Sequence, residues 1–116
     1  MTTIPADGPP NDPSCYMIGI GGVGLSGLAR LLHARGTRVL GTDTTPSDVT
    51  RSLATLGIEV TTGDPPERLP AGVGSVIASA AVRPDHPLVL DAENRGLPVR
   101  TYAEALGSAM AAMTGV

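Results

Sequence analysis

Six residues, Gly19-Ile20-Gly21-Gly22-Val23-Gly24, constrain the fold of this chain more than any other stretch. They close a short β-prone run, Cys15 to Ile20. They open a segment in which Leu25, Leu28, Ala29 and Leu32 recur at i, i+3, i+4 and i+7, the spacing of one apolar helix face. A G-x-G-x-x-G pattern placed between a strand and a helix is the turn of a nucleotide-binding βα unit. Gly19 permits the tight turn, Gly21 and Gly22 carry no Cβ to hold backbone amides away from a phosphate, and Gly24 is expected to let the helix pack close to the sheet. The first helical turn then offers unpaired amides and the positive end of the helix dipole, which together hold a diphosphate without a basic side chain. A glycine turn that merely packs tightly is the other reading of the same residues.

Short β-prone runs and helical patterns alternate along the rest of the chain, the mark of successive βα units on a parallel sheet. Gly36 closes the first helix and residues 38–42 form the second expected strand. Thr45, Pro46 and Asp48 suit a helix start, with Thr45 as cap, and Val49, Leu53 and Leu56 make its buried face up to Gly57. Residues 58–61 read as a third strand. Residues 63–74, with three prolines, read as a loop or a single helical turn. A fourth strand spans 75–79. A helix starting near Asp85 and Pro87 buries Leu88, Val89 and Ala92 and stops at Gly96, and a fifth strand lies around 98–100. Thr101 and Glu104 form a capping box for a last helix, which presents Ala103, Leu106, Met110 and Met113 on one face. The expected architecture is α/β and Rossmann-like, with about five parallel strands flanked by helices in one domain over residues 14–116. Residues 1–13, with Pro5, Pro9, Pro10 and Pro13 and no hydrophobic period, are expected to be a disordered tail.

Composition narrows the chemistry. The chain has no Phe or Trp and two tyrosines, so its core must be built from aliphatic and small side chains. Its net charge is −3, and its eight basic residues, all arginine, form no stripe, which argues against a nucleic-acid partner. The absence of lysine excludes a P-loop lysine or a Schiff base within the chain. A single cysteine forms no internal disulfide, and no signal-like opening or apolar run of about 20 residues is present, so a cytoplasmic location away from the membrane is expected.

Asp43 ends the second expected strand about 20 residues beyond the glycine loop, where a carboxylate accepts hydrogen bonds from a ribose or a base edge. Thr44 follows it, and bonding the Thr44 or Thr45 region is the alternative role for that carboxylate. Ser26 can add a hydroxyl to the phosphate site or simply occupy the first helical turn. Ser79 and Ala80 end the fourth strand at the ligand-binding edge of such sheets, where small residues leave room for a nucleotide. Cys15 reads as an inert core residue. His33 and His86 lack neighbours at metal-ligand spacing and read as solvent-facing helix residues. No metal site and no catalytic residue is expected within the chain.

Ile18-Gly19-Ile20-Gly21-Gly22-Val23-Gly24-Leu25-Ser26-Gly27 resembles the opening of the Mur ligases that join L-alanine to UDP-N-acetylmuramate, whose first loop reads G-I-G-G-x-G-M-S-G. Gly41-Thr42-Asp43 is similar to that group's G-S-D. Ser79-Ala80-Ala81-Val82 and Asp85-His86-Pro87 are similar to its S-S-A-I and D-N-P, and Gly96-Leu97-Pro98-Val99 and Ala103-Glu104 to its G-I-P-V and A-E. The resemblance covers residues 15–116 and stops where the G-T-H-G-K-[ST] ATP loop of that family is expected next. It implies the UDP-sugar-binding domain of an ATP- and magnesium-dependent ligase of peptidoglycan precursor synthesis, with the ATP-binding and carboxy-terminal domains outside this chain. In the full ligase the muramyl carboxylate is activated as an acyl phosphate and attacked by the alanine amine. The implied ligand is UDP-N-acetylmuramic acid, held by Gly19, Gly21, Gly22, Val23, Gly24, Leu25 and Ser26, with the uridine near Asp43, Thr44, Ser79 and Ala80. This domain alone is expected to be inactive.

The chain departs from that pattern at Leu25, where Met is usual, at Asp64, where His is usual, and at Tyr102, where Arg is usual. No contact is carried over to Asp64 or Tyr102. Three other readings fit parts of the sequence: an NAD-binding domain of a dehydrogenase or regulatory module, a non-catalytic interaction module using a Leu106, Met110 and Met113 stripe, and a related murein-peptide ligase. On the phosphate reading, Gly22→Val or Gly24→Val is expected to abolish binding in a folded domain.

Overall fold

The computed structural model describes residues 14–114, and the expected tail at residues 1–13 lies outside them. Five strands and four helices alternate as β1 (Ser14–Ile18), α1 (Val23–Ala34), β2 (Arg38–Asp43), α2 (Asp48–Thr55), β3 (Glu59–Thr62), β4 (Ser75–Ala78), α3 (Pro87–Asn94), β5 (Val99–Thr101) and α4 (Tyr102–Thr114). All four strand pairings are parallel and the order across the sheet is β3-β2-β1-β4-β5. The chain thus winds outward from β1 in one direction, returns, and winds outward in the other. That reversal leaves a crevice between β1 and β4 at the carboxyl ends of the strands.

Alternation along the strands divides the core in two. Cys15 and Met17 of β1, Val39 of β2 and Ile77 of β4 face Leu25, Leu28 and Ala29 of α1, Leu53 of α2, and Ala105 and Ala109 of α4. Tyr16, Ile18, Leu40 and Val76 face the other way, onto Leu88, Val89 and Ala92 of α3 and onto Leu69 and Val73 of the β3–β4 crossover. Met17, Ile20, Leu53, Leu88 and Val76 are the largest fully buried side chains, each contributing roughly 1.5–3 kcal/mol by leaving water.

The crossover over residues 63–74 contains no helix, and side chains of α3 and of the residue that caps its end hold it down. Asp91 accepts from the Leu69 amide at 2.8 Å, and Arg95 donates to the Leu69 carbonyl at 2.9 Å while pairing with Asp91 at 3.1 Å.

Several expected boundaries shift for identifiable reasons. β1 stops at Ile18 rather than Ile20 because Gly19 turns at φ 85 and the amides of Gly19 and Ile20 both donate to the Thr42 carbonyl. α2 is capped by Ser47 and not by Thr45. The Thr45 amide is taken by Asp43, while Ser47 and Thr50 exchange side-chain bonds to each other's backbone amides. Leu56 is not on the buried face of that helix but 47% exposed, whereas Thr50 is buried. The Thr101–Glu104 capping box forms as expected, at 2.9 and 3.1 Å. The apolar stripe expected on α4 is not the one buried: Ala105 and Ala109 face the core with Leu106 packed beside them, Ala103 is exposed, and Met110 is 52% exposed. The side chain of Met113 lies outside the described residues.

Candidate functional site

A cleft of about 510 Å³ opens at the carboxyl edge of the sheet. Its walls are Ile18, Gly19 and Gly22 at the β1–α1 turn, Thr42, Asp43 and Thr44 at the end of β2, Ser79 and residues 81–83 and 85–87 after β4, and Pro65 of the crossover. The position is the one the topology dictates, since β1 and β4 are neighbours whose outgoing chains turn to opposite faces.

At the β1–α1 turn the backbone does the work. Gly22 caps α1 with extended geometry and no side-chain cap, and no acidic residue sits in the first turn. The Gly22 amide donates to Gly19 and the Ser26 amide to Gly22. The amides of Val23, Gly24 and Leu25 have no acceptor among the described residues. Three unspent N–H groups and an uncompensated helix dipole therefore remain at the amino end of α1, an arrangement that favours an anion. Val23 itself is 95% exposed, so its side chain does not cover them.

Asp43 joins the two loops of the crevice. One carboxylate oxygen accepts from the Gly21 amide at 2.8 Å and the other from the Thr45 amide at 3.0 Å. The bond to the Thr45 region is the alternative role expected from the sequence, and Asp43 lines the cleft as well. Each oxygen keeps a second lone pair for a ligand. Gly21 is glycine because of this contact: a Cβ there would lie 2.8 Å from the carboxylate and 3.0 Å from Thr50. Gly19 combines its positive φ with the Ser79 hydroxyl, which a Cβ would meet at 2.9 Å.

Among the candidates from sequence, Gly19, Gly22, Asp43, Thr44 and Ser79 line the cleft together. Ala80 is exposed beside it without lining it. Leu25 is a core side chain, 2% exposed, and brings only its amide to the turn. Ser26 is buried and its hydroxyl donates back to the Val23 carbonyl at 3.1 Å. The expectation for Gly24 is corrected. Its missing Cβ makes room not for the sheet but for the Tyr102 ring of α4, whose Cζ and two Cε atoms would lie 2.9, 3.1 and 3.0 Å from a Cβ. Gly24→Val would therefore strike a packed ring as well as any ligand.

Sequence reading placed Ser79 at this edge but missed the rest of the wall after β4, from Val82 to Pro87. Ser79 turns the chain there, its carbonyl accepting from the Val82 amide and its hydroxyl from the Ala81 amide. His86 is not a solvent-facing helix residue: it is the residue before α3, its Nδ1 accepts from the Leu88 amide at 3.1 Å, and it lines the cleft with Arg83 and Asp85. The Asp85-His86-Pro87 run carried the signal, since a polar residue before Pro at a first helical position is a capping pattern. His33 lies in the last turn of α1, partly buried, away from the cleft. Cys15 is 3% exposed, and burial pushes its thiol up to about 11, which fits an unreactive core residue.

Residues 14–114 match the sequence pattern described as Mur ligase family, catalytic domain. A UDP-N-acetylmuramate–L-alanine ligase of Kineococcus radiotolerans is 45% identical over 103 residues, which covers 87% of this chain and 22% of the relative. The corresponding ligase of Cutibacterium acnes is 40% identical over 109 residues, covering 90% and 23%. The chain thus spans about a fifth of the length of these relatives. A solved structure of a Thermotoga maritima UDP-N-acetylmuramate–alanine ligase superposes with a TM-score of 0.74 at 23% identity, over 87% of this chain and 23% of that one. A second, the UDP-N-acetylmuramate:L-alanyl-γ-D-glutamyl-meso-diaminopimelate ligase of Neisseria meningitides, gives 0.69 at 23% identity over 83% and 30%. Both share its fold.

Proposed function

The chain belongs to the Mur ligase family, and from that premise we propose that it is the UDP-N-acetylmuramic acid-binding domain of a ligase that adds L-alanine to that sugar nucleotide. One observation carries the reading: the acceptor-free amides of Val23, Gly24 and Leu25 converge at the positive end of α1, beside a cleft at the switch point of the sheet. The diphosphate lies against Gly22 and these amides, and the uridine runs toward Asp43, Thr44 and Ser79. The relatives' printed names support the choice of sugar nucleotide.

In this proposal the muramyl carboxylate is activated with ATP and magnesium, and the alanine amine attacks it. The residues of this chain do not fit those two cofactors. It has no lysine for a phosphate loop, and among the described residues no three His, Cys, Asp or Glu side chains converge into a metal set. The chain's part is to bind and orient the sugar nucleotide, and the chemistry is assigned to other domains of a longer ligase. The reading places it in the cytoplasm. Among the described residues no helix is long and apolar enough to cross a membrane.

An NMR titration of the labelled chain with UDP-N-acetylmuramic acid, run beside NAD and ATP, tests the proposal. Selective shifts at residues 19–26 and Asp43 with the UDP-sugar are expected. Saturation by NAD alone would replace it with a dinucleotide module.

A further inference from the structure

Tyr102 is the first residue of α4, directly after the edge strand β5. Because β5 pairs with β4, and β4 with β1, the start of α4 sits at the same edge of the sheet as the glycine loop. The Thr101–Glu104 capping box fixes that start and with it the position of the ring. The phenolic end of the ring lies over Gly24, since a Cβ there would be nearly equidistant from Cζ and both Cε atoms, at 2.9 to 3.1 Å. The hydroxyl, one bond beyond Cζ, therefore lies beside the first turn of α1. Tyr102 is partly buried, yet among the described residues its hydroxyl has no hydrogen-bond partner. A partly buried tyrosine hydroxyl usually finds one.

We propose that Tyr102 is a positioning residue of the anion site, its hydroxyl donating to the same phosphate that the amides of Val23, Gly24 and Leu25 hold. This rests on the reading of the cleft given above. The unpartnered amides around Gly24 are donors and the phenol can donate beside them, so a group that satisfies all of them together presents several acceptor oxygens, as a phosphate does. The phenol adds a fourth donor without adding charge, and its ring shields one side of the turn from water, which strengthens the bonds made there.

The test compares wild type with Tyr102→Phe, which keeps the ring on Gly24 and removes only the hydroxyl. UDP is titrated into each and followed by calorimetry and by the backbone amide resonances. The expected result is a loss of about tenfold in UDP affinity with an unchanged melting temperature and unchanged Gly24 resonances in the free protein. Equal affinity in the two proteins would overturn the role of Tyr102 and leave the site standing. A loss accompanied by displaced Gly24 resonances in the free variant would assign the effect to packing and overturn it too. Failure of wild type to bind UDP would remove the underlying site and this role with it.

Discussion

On one side of the cleft, Gly19 to Gly24 offer backbone amides; on the other, Ser79 to Pro87 offer the side chains of Arg83, Asp85 and His86. In the first wall three glycines, though not Gly22, have little room for a side chain. Gly19 is turned at positive φ against Ser79, Gly21 is pressed on Asp43, and Gly24 lies under Tyr102. The second wall is held by one side-chain cap, His86 on Leu88, one turn at Ser79, and an exposed Arg83–Asp85 pair at 3.2 Å. A wall made of backbone is unforgiving of substitution, whereas one made of exposed side chains can be altered at little cost to the fold.

That contrast can be broken most directly at Gly22. Its φ of −67 and ψ of 156 are open to any residue, and a Cβ would lie 3.3 Å from the Gly19 carbonyl, a tight contact, so Gly22→Val should fold with a small shift of the turn, which its melting temperature checks. Its side chain would stand where the proposed function puts the phosphate, and UDP-sugar affinity should fall about a hundredfold or more, as expected for losing charge-assisted hydrogen bonds. Near-wild-type binding by calorimetry would show that the backbone wall is not the anion site. Asp43→Ala comes next. It frees the amides of Gly21 and Thr45 together, and a loss of roughly 1–3 kcal/mol in ligand binding is expected, with faster hydrogen exchange at those two amides.

Smaller effects should come from the second wall. His86→Ala removes the cap of α3 and should lower stability by about 1 kcal/mol in urea denaturation, while UDP affinity stays within about twofold. A large loss of affinity with little change in stability would instead make His86 a ligand contact. Arg83→Ala should be smallest of all. Its partner is Asp85, both side chains are mostly exposed, and such pairs contribute about 0–1 kcal/mol. A tenfold loss of affinity that disappears at high salt would show that Arg83 reaches the bound anion.

The same contrast explains what was legible in the sequence. Glycines at fixed spacing report backbone constraints, so the β1–α1 turn, the parallel sheet implied by repeated βα units, and Asp43 at the end of β2 were legible in the sequence, whereas the order of the strands was not. What could not be read depends on competition between neighbours. Thr45 and Ser47 are both good caps, and only the capture of the Thr45 amide by Asp43 decides between them. Met110 looks like core and Ala109 does not, but the face that α4 turns to the core carries Ala105 and Ala109 and leaves Met110 half-exposed. The Asp85-His86-Pro87 run signals the cap that His86 makes but not its place in the cleft wall, and the Tyr102 ring meets Gly24 through a contact distant in sequence that no spacing rule singles out.

The carboxylate of Asp43 bonds the glycine loop and the β2–α2 loop before any ligand arrives. Folding has therefore already absorbed the entropy of freezing both loops, a cost that would otherwise fall on association. A nucleotide entering such a cleft meets dipoles that are already aimed, so little free energy of binding is spent on ordering the protein. Encounter and capture should accordingly resemble the docking of two preshaped surfaces, with residence time, more than the rate of arrival, responding to changes in the loop.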